Sequence, residues 1–255
     1  MADPRDIRVS IERNTLRITL ARAPLNILGL PMLAEIQTAL TEGAGDPSLR
    51  AILFAAEGRV FSAGTDVKDH LPPNLEKMLS AFHAIFRTLD GISLPTIARV
   101  DGAALGGGCE LACLCDWVFA TPKSSFALPE IKMGVFPPAA VAFFASIVGT
   151  RRAADLVLTG RTLTAEQAAE IGLITKVAAT LSIDEEIEKL IARLNEMSPQ
   201  ALRASRLALR QTAGRPARAA LAEAERIYLS ELPRSPDMEE GLKAFLEKRA
   251  PRWKN

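Results

Sequence analysis

The sequence predicts an α/β core followed by a region built from helices alone. Up to residue 181, short apolar or alternating segments typical of strands are mixed with amphipathic helical patterns, whereas residues 182–255 carry helical patterns only. The chain has 255 residues, of which 48% are hydrophobic, and this is enough to bury a sizeable core. We therefore expect two regions, residues 1–181 and residues 182–255.

Composition and charge limit which binding partners and which cellular compartment we expect for the protein. Lys and Arg number 31 against 30 Asp and Glu, so the net charge of +1 gives no indication of nucleic acid or of a membrane surface as partner. No apolar run approaches the roughly 20 residues that span a bilayer, and the N-terminus lacks the apolar segment of a secretory signal. The three cysteines lie in one short segment without a standard zinc spacing. We expect them to be buried thiols in a reducing, cytoplasmic compartment.

Patterns in the first half of the chain predict a hairpin, two helices and a set of buried strands. Residues 7–11 and 16–20 alternate apolar and polar side chains around a polar turn, as in a β-hairpin. Apolar residues recur at helical spacing after Pro31 and again over residues 75–89, which predicts two helices. Residues 58–68 are predicted to be a loop punctuated by glycines. Short apolar runs predict strands at residues 51–56, 95–100, 117–120 and 125–128.

The second half of the chain is predicted to be mainly helical. A Phe-Pro-Pro turn leads into an apolar segment that runs to residue 148, and a helix is expected over residues 152–158. Thr164 and Gln167 have the spacing of a capping box that opens a helix over residues 164–171, with Gly172 at its end. Serines at 182, 198 and 235 mark further helix starts, and the helical pattern continues to the end of the chain.

One stretch, residues 104–116, combines three consecutive glycines with a carboxylate and an apolar, helix-forming segment. Gly106, Gly107 and Gly108 carry no side chain, so a ligand can approach the backbone closely. A glycine turn that leads into a helix leaves unpaired N–H groups at the positive end of the helix dipole. Such donors suit an anion, or an oxygen that becomes negative during a reaction, and Glu110 follows within the first turn.

The sequence gives less support for a metal site, a serine nucleophile or a nucleotide-binding loop. The chain has two histidines, His70 and His83, too few for a histidine-rich metal site. Each is predicted to be structural or solvated, and His70 is the better functional candidate because Asp66 and Asp69 are near it. The Gly-x-Ser-x-Gly elbow and the glycine-rich nucleotide motifs are absent.

The carboxyl groups of Glu110 and Glu130 are the remaining candidates for catalysis. Glu110 is surrounded by Gly, Cys, Leu and Ala, and a glutamate is costly to bury there without a purpose. Glu130 follows a proline and precedes an apolar stretch. Two carboxyl groups that converge on one water can divide acid and base roles, because like charges push their pKa values apart.

Five segments together resemble the crotonase, or enoyl-CoA hydratase/isomerase, superfamily. They are the glycine stretch and residues 61–68, 126–134, 160–173 and 241–249, and the likeness extends from about residue 7 to residue 249. It implies a spiral of ββα units, in which residues 1–181 form the core with the active site and residues 182–255 form a helical trimerisation region. It further implies a homotrimer or homohexamer that binds acyl-CoA thioesters, with no metal and no cofactor beyond the CoA of the substrate.

The resemblance also assigns roles to single residues. The N–H groups of Thr65 and Gly107 match the pair that holds the thioester oxygen, and Glu110 and Glu130 match the two glutamates that position and activate water. We expect Glu110 to take a proton from water and Glu130 to deliver one to carbon, and the reverse assignment stays open because coupled carboxyl groups share their titration. The positions that match substrate-binding residues are Leu25, Ala63, Asp66, Lys68, Phe136, Phe245 and Lys248.

After Glu130 the chain departs from ordinary fatty enoyl-CoA hydratases. Where those have a glycine-rich run, residues 136–144 read Phe-Pro-Pro-Ala-Ala-Val-Ala-Phe-Phe, so the acyl pocket should differ in shape. With residues 62–70, this segment resembles the cyclic dienoyl-CoA hydratases of anaerobic aromatic degradation, which add water to cyclohexa-1,5-diene-1-carbonyl-CoA. Alternatives are a fatty enoyl-CoA hydratase or isomerase, a CoA thioester hydrolase, and an inactive oligomeric binding protein. Aromatic candidates for the acyl pocket are Phe82, Phe86, Phe136, Phe143 and Phe144.

Overall fold

The strands of the described residues, 6–71, 73–213, 226–228, 230–231 and 235–254, form two sheets in the computed structural model. The strands are β1 (Ile7–Glu12), β2 (Thr15–Leu20), β3 (Ala51–Ala56), β4 (Val60–Ser62), β5 (Thr96–Val100), β6 (Ala103–Leu105), β7 (Trp117–Ala120), β8 (Ser125–Ala127), β9 (Thr162–Thr164) and β10 (Lys176–Val177). The larger sheet has the order β1-β2-β3-β5-β7-β10, and the smaller has the order β4-β6-β8-β9. Neighbouring strands are parallel, except that β1 pairs with β2 and β8 with β9 in antiparallel fashion.

Helices begin where the sequence signals predict them. Pro31 lies in the first turn of the first helix, the Thr164–Gln167 capping box is formed, and the Ser198 hydroxyl accepts a hydrogen bond from the Ala201 N–H. None of the helices in the described ranges is long and apolar enough to cross a membrane. The helices are α1 (Leu30–Ala44), α2 (Leu75–Gly91), α3 (Gly107–Cys113), α4 (Pro138–Val148), α5 (Thr150–Thr159), α6 (Ala165–Glu170), α7 (Ile183–Asn195), α8 (Pro199–Thr212) and α9 (Pro236–Leu246), with 3₁₀ helices at Val67–His70 and Pro129–Met133.

The chain alternates between the two sheets, and this confirms the predicted spiral of ββα units. β3 in the larger sheet is followed by β4 in the smaller, then by α2; β5 and β6 are followed by α3 in the same way, and β7 leads to β8. Each unit therefore adds one strand to each sheet. Residues of β3 are buried on both sheet faces, with Ile52 and Phe54 in one apolar cluster and Leu53 in another against α7. Burial on both faces explains why β3 is a continuous apolar run.

The three loops of interest leave the smaller sheet at one edge. β4, β6 and β8 are adjacent and parallel, so their carboxyl ends meet there, the usual location of ligand sites in parallel sheets. β4 leads to residues 63–65, β6 to Gly106, and β8 to the 3₁₀ helix that carries Glu130. The buried Ser62 hydroxyl fixes the first loop, because it donates to the Asn26 carbonyl at 2.7 Å and accepts from the Gly64 N–H at 3.1 Å.

The C-terminal helix α8 is tied to the core by an ionic cluster. Arg206 Nε and Arg210 Nη2 donate to the Asp116 carboxylate at 2.6 and 2.7 Å. Burial alone would raise the pKa of Asp116, but the two guanidinium charges outweigh it and hold this pKa below its ordinary value. Arg206 also donates to the carbonyls of Leu89 and Ile92 at the end of α2. The cluster therefore connects α8 to the helix that supplies one wall of the site described below.

Several predictions of local structure are corrected. The predicted loop over residues 58–68 contains β4 and a 3₁₀ helix, residues 104–105 belong to β6, and β9 and β10 were not predicted. These strands have only two or three residues, too few to show a period. Residues 250–254 are not helical, because the tail is held across other helices: Trp253 Nε1 donates to the Glu196 carbonyl at 2.7 Å and the Lys254 N–H to Asp237 at 2.8 Å. The cysteines are free and buried, as predicted.

Candidate active site

A cavity of about 290 Å³ lies where the three loops meet. Glu110 from α3, Glu130 and Thr65 all line it, so the structure brings these predicted residues together. Its other walls come from α2 and from the segment that precedes α4: Leu75, Met78, Leu79, Phe82, Gly134, Val135, Phe136, Pro137 and Pro138, with His70 beside them. A larger cavity of about 440 Å³ lies against α8, and neither glutamate lines it.

The main chains around Thr65 and Gly107 run side by side. Gly107 is the first residue of α3, so its N–H has no acceptor inside the helix. A Cβ placed on Gly107 would come within 3.1 Å of Thr65 Cγ2 and 2.7 Å of Phe82 Cζ, and one on Gly64 would lie 3.4 Å from the Gly107 nitrogen. The loops that carry Thr65 and Gly107 are therefore in contact, and the pairing of their N–H groups on one oxygen stays a prediction.

The other two glycines of the stretch make room for protein groups. Gly106 has φ +51, and a Cβ there would lie 2.5 Å from Glu130 Oε1. A Cβ on Gly108 would lie 2.6 Å from the Ser62 Cβ. Gly106 therefore allows the Glu130 carboxyl group to reach the cavity beside Glu110, a reason for this glycine that the sequence did not show.

Glu110 is almost completely buried, with 2% of its surface exposed. Its Oε1 accepts a hydrogen bond at 2.7 Å from the N–H of Ala140, in the first turn of α4. Burial raises the pKa of Glu110 to about 8, the nearby Glu130 charge adds to the rise, and the bond from Ala140 opposes it. This rise favours the protonated form of Glu110 at neutral pH.

Glu130 is buried as well, but its environment differs from that of Glu110. Burial raises its pKa, while the charge of His70 lowers it. Its Oε2 is buried and has no hydrogen-bond partner among the described residues. The pKa of both carboxyl groups is therefore raised, and their mutual repulsion favours a pair that holds a proton.

The two histidines differ in position. His70 lines the cavity with both glutamates, whereas the sequence favoured a structural or solvated role for it. The signal in the sequence was its place shortly after Thr65, on the same loop. His83 lies outside this cavity and lines a second one of about 230 Å³. Burial, followed by the charge of Arg87, lowers the pKa of His83.

The aromatic candidates for the acyl pocket divide into three groups. Phe82 and Phe136 line the cavity with the glutamates. Phe86 and Phe143 line the second cavity with His83. Phe144 is fully buried in the core. Only the first two therefore lie where they can contact an acyl group beside Glu110 and Glu130.

Most of the remaining predicted binding residues lie outside the cavity wall. Leu25 and Ala63 adjoin each other, because the Ala63 N–H donates to the Leu25 carbonyl at 2.9 Å. Asp66 Oδ1 accepts from the Lys68 N–H at 3.0 Å and caps the 3₁₀ helix that ends at His70. Lys68 and Lys248 are exposed and do not line the cavity, and the side chain of Phe245 lies outside the described residues.

Comparisons with known proteins give the same family as the sequence resemblance. The family model described as "Enoyl-CoA hydratase/isomerase" matches residues 10–255. The chain is 37% identical to a cyclohexa-1,5-dienecarbonyl-CoA hydratase from Thauera aromatica, over 98% of this chain and 97% of that protein. It is 35% identical to a 2,3-dehydroadipyl-CoA hydratase from Escherichia coli, over 98% of each. The crystal structure of an enoyl-CoA hydratase from Mycobacterium smegmatis matches with a TM-score of 0.91 and 30% identity, over 98% of this chain and 99% of that one.

Proposed function

The chain belongs to the enoyl-CoA hydratase/isomerase family, and from that premise we propose that it hydrates a compact, uncharged enoyl-CoA, with a cyclic dienoyl-CoA as the favoured substrate. Its named relatives are hydratases, so it is an enzyme of the hydro-lyase type. The observation that carries the proposal is the single apolar cavity that Glu110, Glu130 and Thr65 share.

The thioester oxygen accepts hydrogen bonds from the N–H groups of Thr65 and Gly107. These donors draw electrons from the conjugated double bond, which makes its β carbon electrophilic and stabilises the enolate that forms when water adds. Each such donor typically contributes about 2.7–4 kcal/mol to lowering the barrier. No metal and no further cofactor takes part in this scheme.

The two glutamates divide the proton transfers. In this scheme the Glu130 carboxylate accepts a proton from water as the water oxygen bonds to the β carbon, and the Glu110 carboxylic acid donates its proton to the enolate carbon. The pair begins and ends with one proton, so the addition of water is balanced. This assignment is the reverse of the one first expected from the sequence, which left both open, and the rise in the pKa of Glu110 to about 8 supports it.

The lining of the cavity favours a ring over a long or charged acyl group. Phe136, Pro137 and Pro138 occupy the wall where fatty enoyl-CoA hydratases have glycines, and Met78 and Phe82 face them from α2. None of the described lining residues is Lys or Arg. A second carboxylate, as in a dehydroadipyl group, would therefore meet two glutamates and no strong cation.

A panel of enoyl-CoA thioesters tests the proposal. We expect the ultraviolet absorbance of the conjugated cyclic diene to fall without release of free CoA thiol, and faster than that of crotonyl- or 2,3-dehydroadipyl-CoA. Faster hydration of a linear substrate would overturn the substrate assignment. Release of free thiol would indicate a thioester hydrolase, and no reaction with any member of the panel would favour a binding protein.

A further inference from the structure

A second cavity, of about 230 Å³, adjoins the one that holds the two glutamates. Pro138, in the first turn of α4, lines both cavities. From α2, residues between 75 and 82 line the first cavity, and residues between 83 and 90 line the second. The two cavities are therefore successive parts of one cleft between α2 and the start of α4.

The ring of Phe82 lies at the boundary between the two cavities. Phe82 lines the first cavity, whereas Phe86 lines the second. The two rings meet edge to face, with their centroids 4.8 Å apart and their planes at 86°. Residues four apart lie on the same face of a helix, so the two rings follow each other along the cleft. Together they form a partition, with Phe82 on the side of the glutamates.

The packing around Phe82 leaves its ring little room to move aside. A Cβ on Gly107 would lie 2.7 Å from Phe82 Cζ and 3.2 Å from Cε2, so the tip of the ring packs against the main chain of α3. Phe82 and Phe86 are both buried, and their edge-to-face contact stabilises the arrangement. The partition is therefore a fixed part of the wall, as expected of a close-packed interior.

The lining of the second cavity suits an unbranched alkyl chain. The apolar side chains that line it are Phe86, Pro138, Ala139, Ala142 and Phe143. Arg87 and Asp90 also line it, but both are exposed and their charges are solvated. A linear acyl chain that passed the partition would therefore find apolar contacts beyond it.

We propose that Phe82 is a specificity-determining residue, whose ring ends the acyl site and excludes linear chains from the second cavity. The proposal deepens the proposed function and rests on it. A compact ring fits on the near side of Phe82, whereas a linear chain of sufficient length meets the Phe82 ring.

Shortening the side chain of Phe82 should admit longer acyl groups. With Ala at position 82, the first cavity extends to the ring of Phe86. One methylene in an apolar pocket changes kcat/KM by about tenfold or more. The ratio of kcat/KM for trans-2-octenoyl-CoA to that for crotonyl-CoA should therefore rise at least about tenfold. This ratio does not depend on the fraction of the enzyme that is active.

The test compares Phe82→Ala with Phe86→Ala, which removes an equal ring from the far side of the partition. Because both rings are buried, the two variants should lose similar stability. Phe82→Leu is a milder change that keeps an apolar side chain. The chain-length ratio should rise in Phe82→Ala, rise less in Phe82→Leu, and stay at the wild-type value in Phe86→Ala.

Calorimetry provides a second measurement that needs no turnover. The affinity for the saturated thioester octanoyl-CoA, relative to that for butanoyl-CoA, should change in the same order across the three variants. If the wild-type protein hydrates no enoyl-CoA, the proposed function fails, and this ratio of affinities still decides whether Phe82 limits the chain.

Three results would overturn the inference. The first is an unchanged chain-length ratio in both Phe82 variants, including a uniform loss of activity on all substrates, which would indicate a purely structural role. The second is an equal rise of the ratio in Phe86→Ala. The third is a wild-type protein that already hydrates trans-2-octenoyl-CoA as fast as crotonyl-CoA.

Discussion

Replacement of Glu110 by Gln should abolish turnover and also make the fold more stable at neutral and alkaline pH. Burial raises the pKa of Glu110 from the ordinary value of 4.5 to about 8. Between these values the native protein holds a proton that the unfolded chain releases, so stability falls as pH rises. Gln is neutral at every pH, and its side-chain oxygen can still accept the hydrogen bond from Ala140.

The size of the effect follows from the same two pKa values. A rise from 4.5 to about 8, at about 1.4 kcal/mol for each pKa unit, corresponds to a penalty on the order of 5 kcal/mol once Glu110 is fully ionised. Well below the ordinary pKa both states are protonated and the penalty vanishes. The free energy of unfolding of Glu110→Gln, minus that of the wild type, should therefore grow by roughly 3 kcal/mol between about pH 5 and about pH 8.

Urea unfolding across this pH range, at one protein concentration, measures the difference. The control is Glu42→Gln, on the exposed face of α1, where the difference from wild type should stay nearly constant. A pH-independent cost of burying the Gln amide would change the difference in free energy of unfolding equally at every pH. The slope of this difference against pH is therefore the quantity that tests the reasoning. A difference between Glu110→Gln and wild type that stays flat from acid to alkaline pH would refute the reasoning.

Four further outcomes are expected. Glu130→Gln should lower kcat by roughly 10²–10⁴-fold while calorimetry still detects binding of the product CoA ester; near-normal turnover would remove Glu130 from the mechanism. Gly106→Ala should have a similar kinetic effect, because its Cβ would lie 2.5 Å from Glu130 Oε1, whereas Gly91→Ala, with no atom within 4 Å, should be active. Asp116→Ala should lower the free energy of unfolding by about 3–5 kcal/mol, because it leaves the buried Arg206 unpaired; urea titration at neutral pH would show this, and a loss below about 1 kcal/mol would contradict it. Sedimentation equilibrium should give three or six chains per particle, and a monomer would contradict the proposed assembly.

How well the sequence predicted the fold depended on the length of each element. The hairpin β1–β2, the buried strand β3 and the helix α2 each supply several repeats of their period, and all were found. β4, β6, β9 and β10 have two or three residues each, so a period of two has no room to appear. These short strands include two of the three that carry the loops of the candidate site, and the architecture of the site was therefore predicted through resemblance and not through pattern.

The candidate site was predictable in its parts but not in its electrostatics. Glu110 was conspicuous as a carboxylate in an apolar segment, and Glu130 was assigned through resemblance. The groups that distinguish them are the Ala140 N–H and the His70 ring. Neither lies in a motif, because a helix N-terminus and a loop histidine acquire their roles only from what the fold places against them.

In the proposed mechanism, the burial that destabilises the folded protein is also what suits Glu110 to act as an acid. A carboxyl group with its ordinary pKa would be almost fully ionised at neutral pH and could not donate a proton to carbon. Any substitution that opens the cavity to water around Glu110 should lower its pKa, recover part of the stability lost at neutral pH, and reduce the fraction of enzyme with a proton to donate. Stability near pH 8 and activity should therefore change in opposite directions across variants of the cavity wall that leave both glutamates in place. A cavity-wall variant with both higher stability near pH 8 and higher activity would show that the proton on Glu110 is not required for the reaction.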